Sequence, residues 1–84
     1  MSYLVKWNPK PLKFLEKLPK EMSARIINKL EVIKNDPFHY LEHYEGAEVY
    51  KLRIGDYRLL IDLDFTSKLL KIRILDHRSR VYER

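Results

Sequence analysis

Val49-Tyr-Lys-Leu-Arg-Ile-Gly-Asp-Tyr-Arg-Leu-Leu-Ile-Asp-Leu63 is the stretch from which the rest of this 84-residue chain can be read. Two alternating runs flank Gly55-Asp56, a pair that tolerates positive φ, so the stretch predicts a β-hairpin with a two-residue loop. That loop fixes the register. Ile54 faces Tyr57, Arg53 faces Arg58, Leu52 faces Leu59, Lys51 faces Leu60 and Tyr50 faces Ile61. Side chains alternate between the two faces of a strand. Tyr50, Leu52, Ile54, Tyr57, Leu59 and Ile61 therefore form a core face, and Lys51, Arg53 and Arg58 share the other. Like charges directly opposed across an antiparallel pair are destabilising, by up to ~1 kcal/mol, in a domain whose whole stability is about 5–15 kcal/mol. Splayed surface arginines often mean nothing. Three cations on one face of one tight hairpin, with Arg73 expected beside them, point instead to an anion site. Phosphate is the first candidate, because it fits the rigid guanidinium fork.

The remaining composition narrows the class. The length suits one domain, 1–84, and 45% hydrophobic residues suffice for one core. No cysteine is present, which excludes disulfides, thiolate metal sites and a cysteine nucleophile, and fits a cytoplasmic setting. No apolar run approaches the ~20 residues that span a bilayer, so a soluble protein without a membrane partner is expected. The net charge of +5 is uneven. Residues 1–50 hold 8 Lys/Arg against 7 Asp/Glu, and residues 51–84 hold 9 against 5. The basic half is the half with the hairpin, the electrostatic footprint of a nucleic-acid partner.

Working outward, Tyr3 to Trp7 reads as a first strand. Asn8-Pro9 opens a short helix with an apolar stripe of Leu12, Phe14, Leu15 and Leu18, and Pro19 ends it and starts the next. Met22, Ile26, Leu30 and Ile33 recur at helical spacing until Asn35-Asp36-Pro37. Phe38 to Glu48 reads as an acidic loop. Its His39, Glu42 and His43 match H-x-x-E-H, a zinc-protease pattern, but Pro37 and Gly46 leave no room for the helix that pattern needs, so no metal site is assigned. Asp64 to Lys68 makes a second turn, and Leu69 to Leu75 a last strand with Leu70, Ile72 and Ile74 on the core face. With a four-residue loop, Lys71 faces Asp62 and is neutralised there. Arg73 faces Leu60 and stays available beside Lys51 and Arg53. The layout is α+β, β-α-α-β-β-β: an antiparallel twisted sheet with a two-helix hairpin packed on one face. Residues read alone stop at a basic domain that binds phosphate.

Leu18-Pro-Lys-Glu21, Asn35-Asp-Pro37 and above all Tyr50-Lys-Leu-Arg-Ile-Gly-Asp-Tyr-Arg58 resemble the RelE/ParE superfamily of toxins from type II toxin–antitoxin modules. Asp76-His77-Arg78 followed by Tyr82 resembles its RelE branch. That resemblance implies a ribosome-dependent endoribonuclease that cuts mRNA in the A site without metal or other cofactor. The ribose 2′-OH attacks the adjacent phosphorus and leaves a 2′,3′-cyclic phosphate. It also implies a RelB-like antitoxin partner that masks the cationic face. By motif, the catalytic set falls on Lys51, Arg53, Arg58 and Arg78, with His77 as a further proton donor, and RNA binding on Arg73, Arg80 and Tyr82. Fixed cations suit a dianionic phosphorane. Lys51 is the candidate base, since neighbouring positive charge favours its neutral form. Arg78 or His77 would protonate the leaving 5′-oxygen, and histidine titrates in the better range. Two other readings stay open: a ParE-like inhibitor of DNA gyrase, and a non-catalytic RNA- or ribosome-binding module in which the same cations only hold phosphates.

Overall fold

The computed structural model describes residues 2–45 and 48–77. The chain runs β1 (Leu4–Trp7), α1 (Pro9–Lys17), α2 (Lys20–Ile33), α3 (Pro37–Tyr40), β2 (Glu42–Glu45), β3 (Val49–Ile54), β4 (Tyr57–Asp64) and β5 (Leu69–His77). One five-stranded sheet has the order β1-β5-β4-β3-β2. The two-helix hairpin packs on one of its faces, as the spacing predicts. Pro9 starts α1 without a side-chain cap from Asn8, and Pro19 stands immediately before α2. In α2 the helical stripe is literal, since Ile26, Leu30 and Ile33 are all buried. In α1, Pro11 and Leu15 are the buried residues, while Leu12 stays exposed.

The central hairpin has the expected register residue for residue, including Arg53 opposite Arg58. Gly55 takes φ 59° and Asp56 does not go positive, the pattern of a type II′ turn. A Cβ at Gly55 would also approach the flexible end of Arg25 to 3.2 Å, but it is the positive φ that reserves this position for glycine. The core face holds Leu52, Ile54, Leu59 and Ile61 fully inside, with Tyr57 edge-on to Phe14 of α1. At the second turn, the Asp64 carboxylate accepts the backbone N–H groups of Thr66 and Ser67, each at 3.0 Å. Those donors, Ser67 first, hold its carboxyl below the usual carboxylate range.

Four expectations are corrected. First, β1 joins the sheet parallel to β5, because α1 and α2 carry the chain across before it returns. Second, the acidic loop is a one-turn helix followed by an edge strand. In β2, Glu42 and Tyr44 turn to the side of Lys51, and His43 packs edge-on against Tyr50 at 5.2 Å. A strand this short with no apolar alternation gives no periodic signal, and its charged residues suit an edge.

Third, Ile74 is not in the core. The β4–β5 ladder passes from Ile61↔Ile72 to Leu60↔Ile74, leaving Arg73 as the extra residue of a β-bulge. Beyond it every side chain changes face: Leu75 becomes the buried residue, and Asp76 comes opposite Arg58. Fourth, Arg73 does not sit opposite Leu60 and is not available as expected. Its guanidinium forks onto Asp62, Nε to Oδ2 at 3.0 Å and a terminal nitrogen to Oδ1 at 2.9 Å. Lys71 does face Asp62 in register, but Arg73, displaced by the bulge, takes the carboxylate.

Ile61→Ala should lower the unfolding free energy by about 2–5 kcal/mol, because it opens a cavity in a side chain with no exposure. Ile27→Ala, on the exposed side of α2, should stay within about 0.5 kcal/mol of wild type. Urea titrations of the three proteins give both numbers.

Candidate functional site

The face of the sheet away from the helices carries the basic residues. On β3, Lys51 and Arg53 point outward, and on β4 Arg58 does the same, with Leu60 and Asp62 following on that face. Leu60 is 7% exposed although it lies opposite to the helices. It stands between Lys51 on β3 and Ile74 on β5 by register, so the cations rise around an apolar floor. Arg58 is half-buried with its Nε sealed from solvent, which fixes the stem of its guanidinium. Across the next strand stands Asp76, buried, with its Oδ1 accepting the backbone N–H of His77 at 2.8 Å. Arg58 therefore has a cation on one side, Arg53, and a carboxylate on the other. This arrangement needs the bulge, which turned Asp76 onto this face.

The pairing of β2 starts at Glu42↔Lys51, so among the described residues no strand pairs with β3 beyond Lys51 on that edge. There the surface folds into a cleft of about 360 Å³ lined by Lys29, Tyr40, Glu42, Lys51, Leu52, Arg53 and Arg58. All three hairpin cations expected for the site line this one cleft. Three of its lining residues, Lys29, Tyr40 and Glu42, were missed by sequence reasoning. Tyr40 stands at the end of α3, with the Lys29 ammonium 5.1 Å from its ring centre. Glu42 brings a carboxylate to 3.6 Å from the Lys51 ammonium, and Tyr44 lies 6.0 Å from the same nitrogen. Had Glu42–Glu45 been read as a strand, alternation would have placed Glu42 beside the cations. Nothing in its four residues announces that strand.

The other candidates lie elsewhere. Arg73 stays on the cationic side of the sheet, held by Asp62. His77 is turned by the bulge to the helix side, where its ring meets Tyr57 edge-on at 5.8 Å. It is therefore not brought together with Lys51, Arg53 and Arg58. Arg78, Arg80 and Tyr82 lie outside the described residues. The H-x-x-E-H match is split. His39 belongs to α3 and packs on Tyr40, while Glu42 and His43 point to opposite faces of β2. Among the described residues no three His, Asp or Glu side chains gather closely enough to hold a metal ion. No helix there is long and apolar enough to cross a membrane.

A cluster of fixed cations around an apolar floor, open on one side and bordered by a carboxylate, can do two things. It can hold a phosphate and stabilise added negative charge on it. It can also place an ionised oxygen base next to that phosphate.

Comparisons with known proteins agree with this layout. The family model described as the ParE toxin of the type II toxin–antitoxin system parDE matches residues 5–82. No curated protein sequence matches the chain. Among solved structures, a chain of the toxin–antitoxin complex RelBE2 from Mycobacterium tuberculosis superposes with a TM-score of 0.82 at 25% identity, over 93% of this chain and 100% of that one. The archaeal RelE–RelB complex from Pyrococcus horikoshii gives 0.82 at 29% identity, over 95% and 99%. The isolated RelE toxin of E. coli gives 0.81 at 20% identity over 98% and 93%, a likeness of fold alone.

Asp62→Asn should change stability by less than about 1 kcal/mol, since the ion pair it removes is partly exposed. It should also release Arg73 to the cationic face, and so strengthen binding to single-stranded RNA and steepen its salt dependence by about one counterion. Fluorescence anisotropy over a salt series measures this.

Proposed function

The chain belongs to the ParE toxin family of type II toxin–antitoxin systems, within the RelE/ParE superfamily, and we propose that it acts as a ribosome-dependent mRNA endoribonuclease. The observation that carries this reading is the single cleft lined by Lys51, Arg53 and Arg58. A surface that only had to be basic would not need two arginines locked opposite one another. A site that binds a phosphate and meets a second negative charge in the transition state would use both. Without a metal, cleavage proceeds by attack of the ribose 2′-oxygen on the neighbouring phosphorus, with departure of the 5′-oxygen. Arg53 and Arg58 hold the two non-bridging oxygens, and Lys51 adds charge at the open edge. Arg78 completes the catalytic set that the resemblance implies, and Arg80 and Tyr82 bind RNA, Tyr82 by stacking on a base.

The substrate is mRNA in the ribosomal A site, and the protein partner is a RelB-like antitoxin that covers the cationic face. Support for the partner comes from the Mycobacterium tuberculosis and Pyrococcus horikoshii relatives, both solved as toxin–antitoxin complexes. The matching family model carries the name ParE, and this favours a second reading in which the chain inhibits DNA gyrase by binding it. The two readings make different demands. A gyrase inhibitor does not require the arginines of the hairpin; the nuclease does.

Primer extension on a defined mRNA in programmed ribosomes separates them. Wild type should cut at A-site codons, and Arg58→Ala should reduce cutting by about 10²–10³-fold, the usual loss when one transition-state charge partner is removed. Uncut mRNA with impaired DNA supercoiling would favour the gyrase reading. Induction of the chain alone should stop growth of its host, and co-expression of the antitoxin should restore it. Unimpaired growth on induction counts against a toxin.

A further inference from the structure

Glu42 belongs to no functional residue set read from the sequence, yet it is the carboxylate that lines the cleft with Lys51, Arg53 and Arg58. Resting on the nuclease reading above, we infer that Glu42 is the general base of the reaction and that Lys51 serves as a cation, not as the base.

The charge state each group must have decides between Glu42 and Lys51. A lysine can take a proton from the 2′-OH only in its neutral form. The ammonium of Lys51 lies 3.6 Å from the Glu42 carboxylate, across a strand pair that holds the two in register. An opposite charge at that distance favours the ammonium and works against the role of a base. Arg53 and Arg58 line the same cleft, but a guanidinium stays protonated in proteins and cannot accept the proton. The ordinary state of each group thus makes Glu42 the acceptor and Lys51 the donor. No uphill deprotonation is needed beforehand. Exposure agrees: the Glu42 side chain is 74% exposed and meets an incoming ribose, whereas that of Lys51 is 27% exposed beneath it.

The step balances without any further reagent than water. The 2′-OH proton passes to a Glu42 oxygen as the 2′-oxygen bonds to phosphorus. The bond from phosphorus to the 5′-oxygen breaks and its electron pair leaves with that oxygen, which takes a proton from solvent water. Glu42 then returns its proton to solvent. The products are a 2′,3′-cyclic phosphate and a 5′-hydroxyl. Lys51, released from Glu42 by the arriving phosphate, pairs with one of its oxygens.

The titratable and charged groups that line the cleft with Glu42 are Lys51 and Arg53 from β3, Arg58 from β4, Tyr40 from α3 and Lys29 from α2. His39 is in ring contact with the cleft residue Tyr40, so the pH series includes His39→Gln as a control. Single-turnover cleavage on programmed ribosomes is to be measured from pH 4 to pH 8.5. Wild type, Glu42→Gln, Glu42→Asp, Lys51→Met and His39→Gln are compared, with ribosome binding measured in parallel. Glu42→Gln should bind ribosomes as wild type does and cut about 10²–10⁴-fold more slowly, the range for a general base. Its rate should no longer fall toward acid pH. Glu42→Asp should recover part of the rate, and Lys51→Met and His39→Gln should keep the acid limb. A Glu42→Gln protein that cuts within threefold of wild type, with the acid limb in place, overturns the inference and leaves the nuclease reading standing. A wild type that cuts nothing overturns both.

Discussion

Arg53 and Arg58 face each other across a hairpin whose turn allows no other register. Gly55 adopts the positive φ that this turn requires, so the turn stays two residues long. A one-residue slip would move Leu52, Ile54, Leu59 and Ile61 out of the core. The hydrophobic pattern therefore enforces a repulsion on the other face. Its cost is small beside the burial of four large side chains, each of which contributes roughly 1.5–3 kcal/mol. The core wins, and the two cations are fixed where a phosphate can bridge them.

Two irregularities complete the site. The bulge at Arg73 turns Asp76 to the cationic face and His77 away from it, so one inserted residue decides which titratable groups of β5 can take part. The short edge strand β2 stops pairing at Lys51 and, among the described residues, leaves the rest of β3 bare. That bare edge is what makes a cleft rather than a flat surface. Regular elements supply the rigidity here, and their interruptions supply the access.

How much could be read beforehand follows from this division. The hairpin register, both longer helices and the split of faces were legible, because strict alternation or a 3.6-residue period spans each of them. Lys51, Arg53 and Arg58 came with the register. The bulge was not legible. Leu69-Leu-Lys-Ile-Arg-Ile-Leu75 alternates well enough to predict Ile74 inside, and only pairing with β4 shows that Leu75 takes its place. Glu42 was missed for a different reason. Its strand is four polar or aromatic residues long, and its position depends on a partner strand rather than on its own pattern. Arg73 was seen, but its engagement with Asp62 follows from the bulge and could not be anticipated from a regular ladder.

A double-mutant cycle of Arg53→Gln and Arg58→Gln measures directly whether the opposed arginines exist to hold an anion. Unfolding free energies of the four proteins are compared at low salt, with and without a short single-stranded RNA. In the free protein the first glutamine should relieve the repulsion, by about 0.2–1 kcal/mol, and the second should add little. With RNA present, wild type should gain the most stability and the double variant the least, reversing the sign of the coupling. If RNA stabilises all four proteins equally, the two arginines are a tolerated cost of the register and the cleft is not a phosphate site.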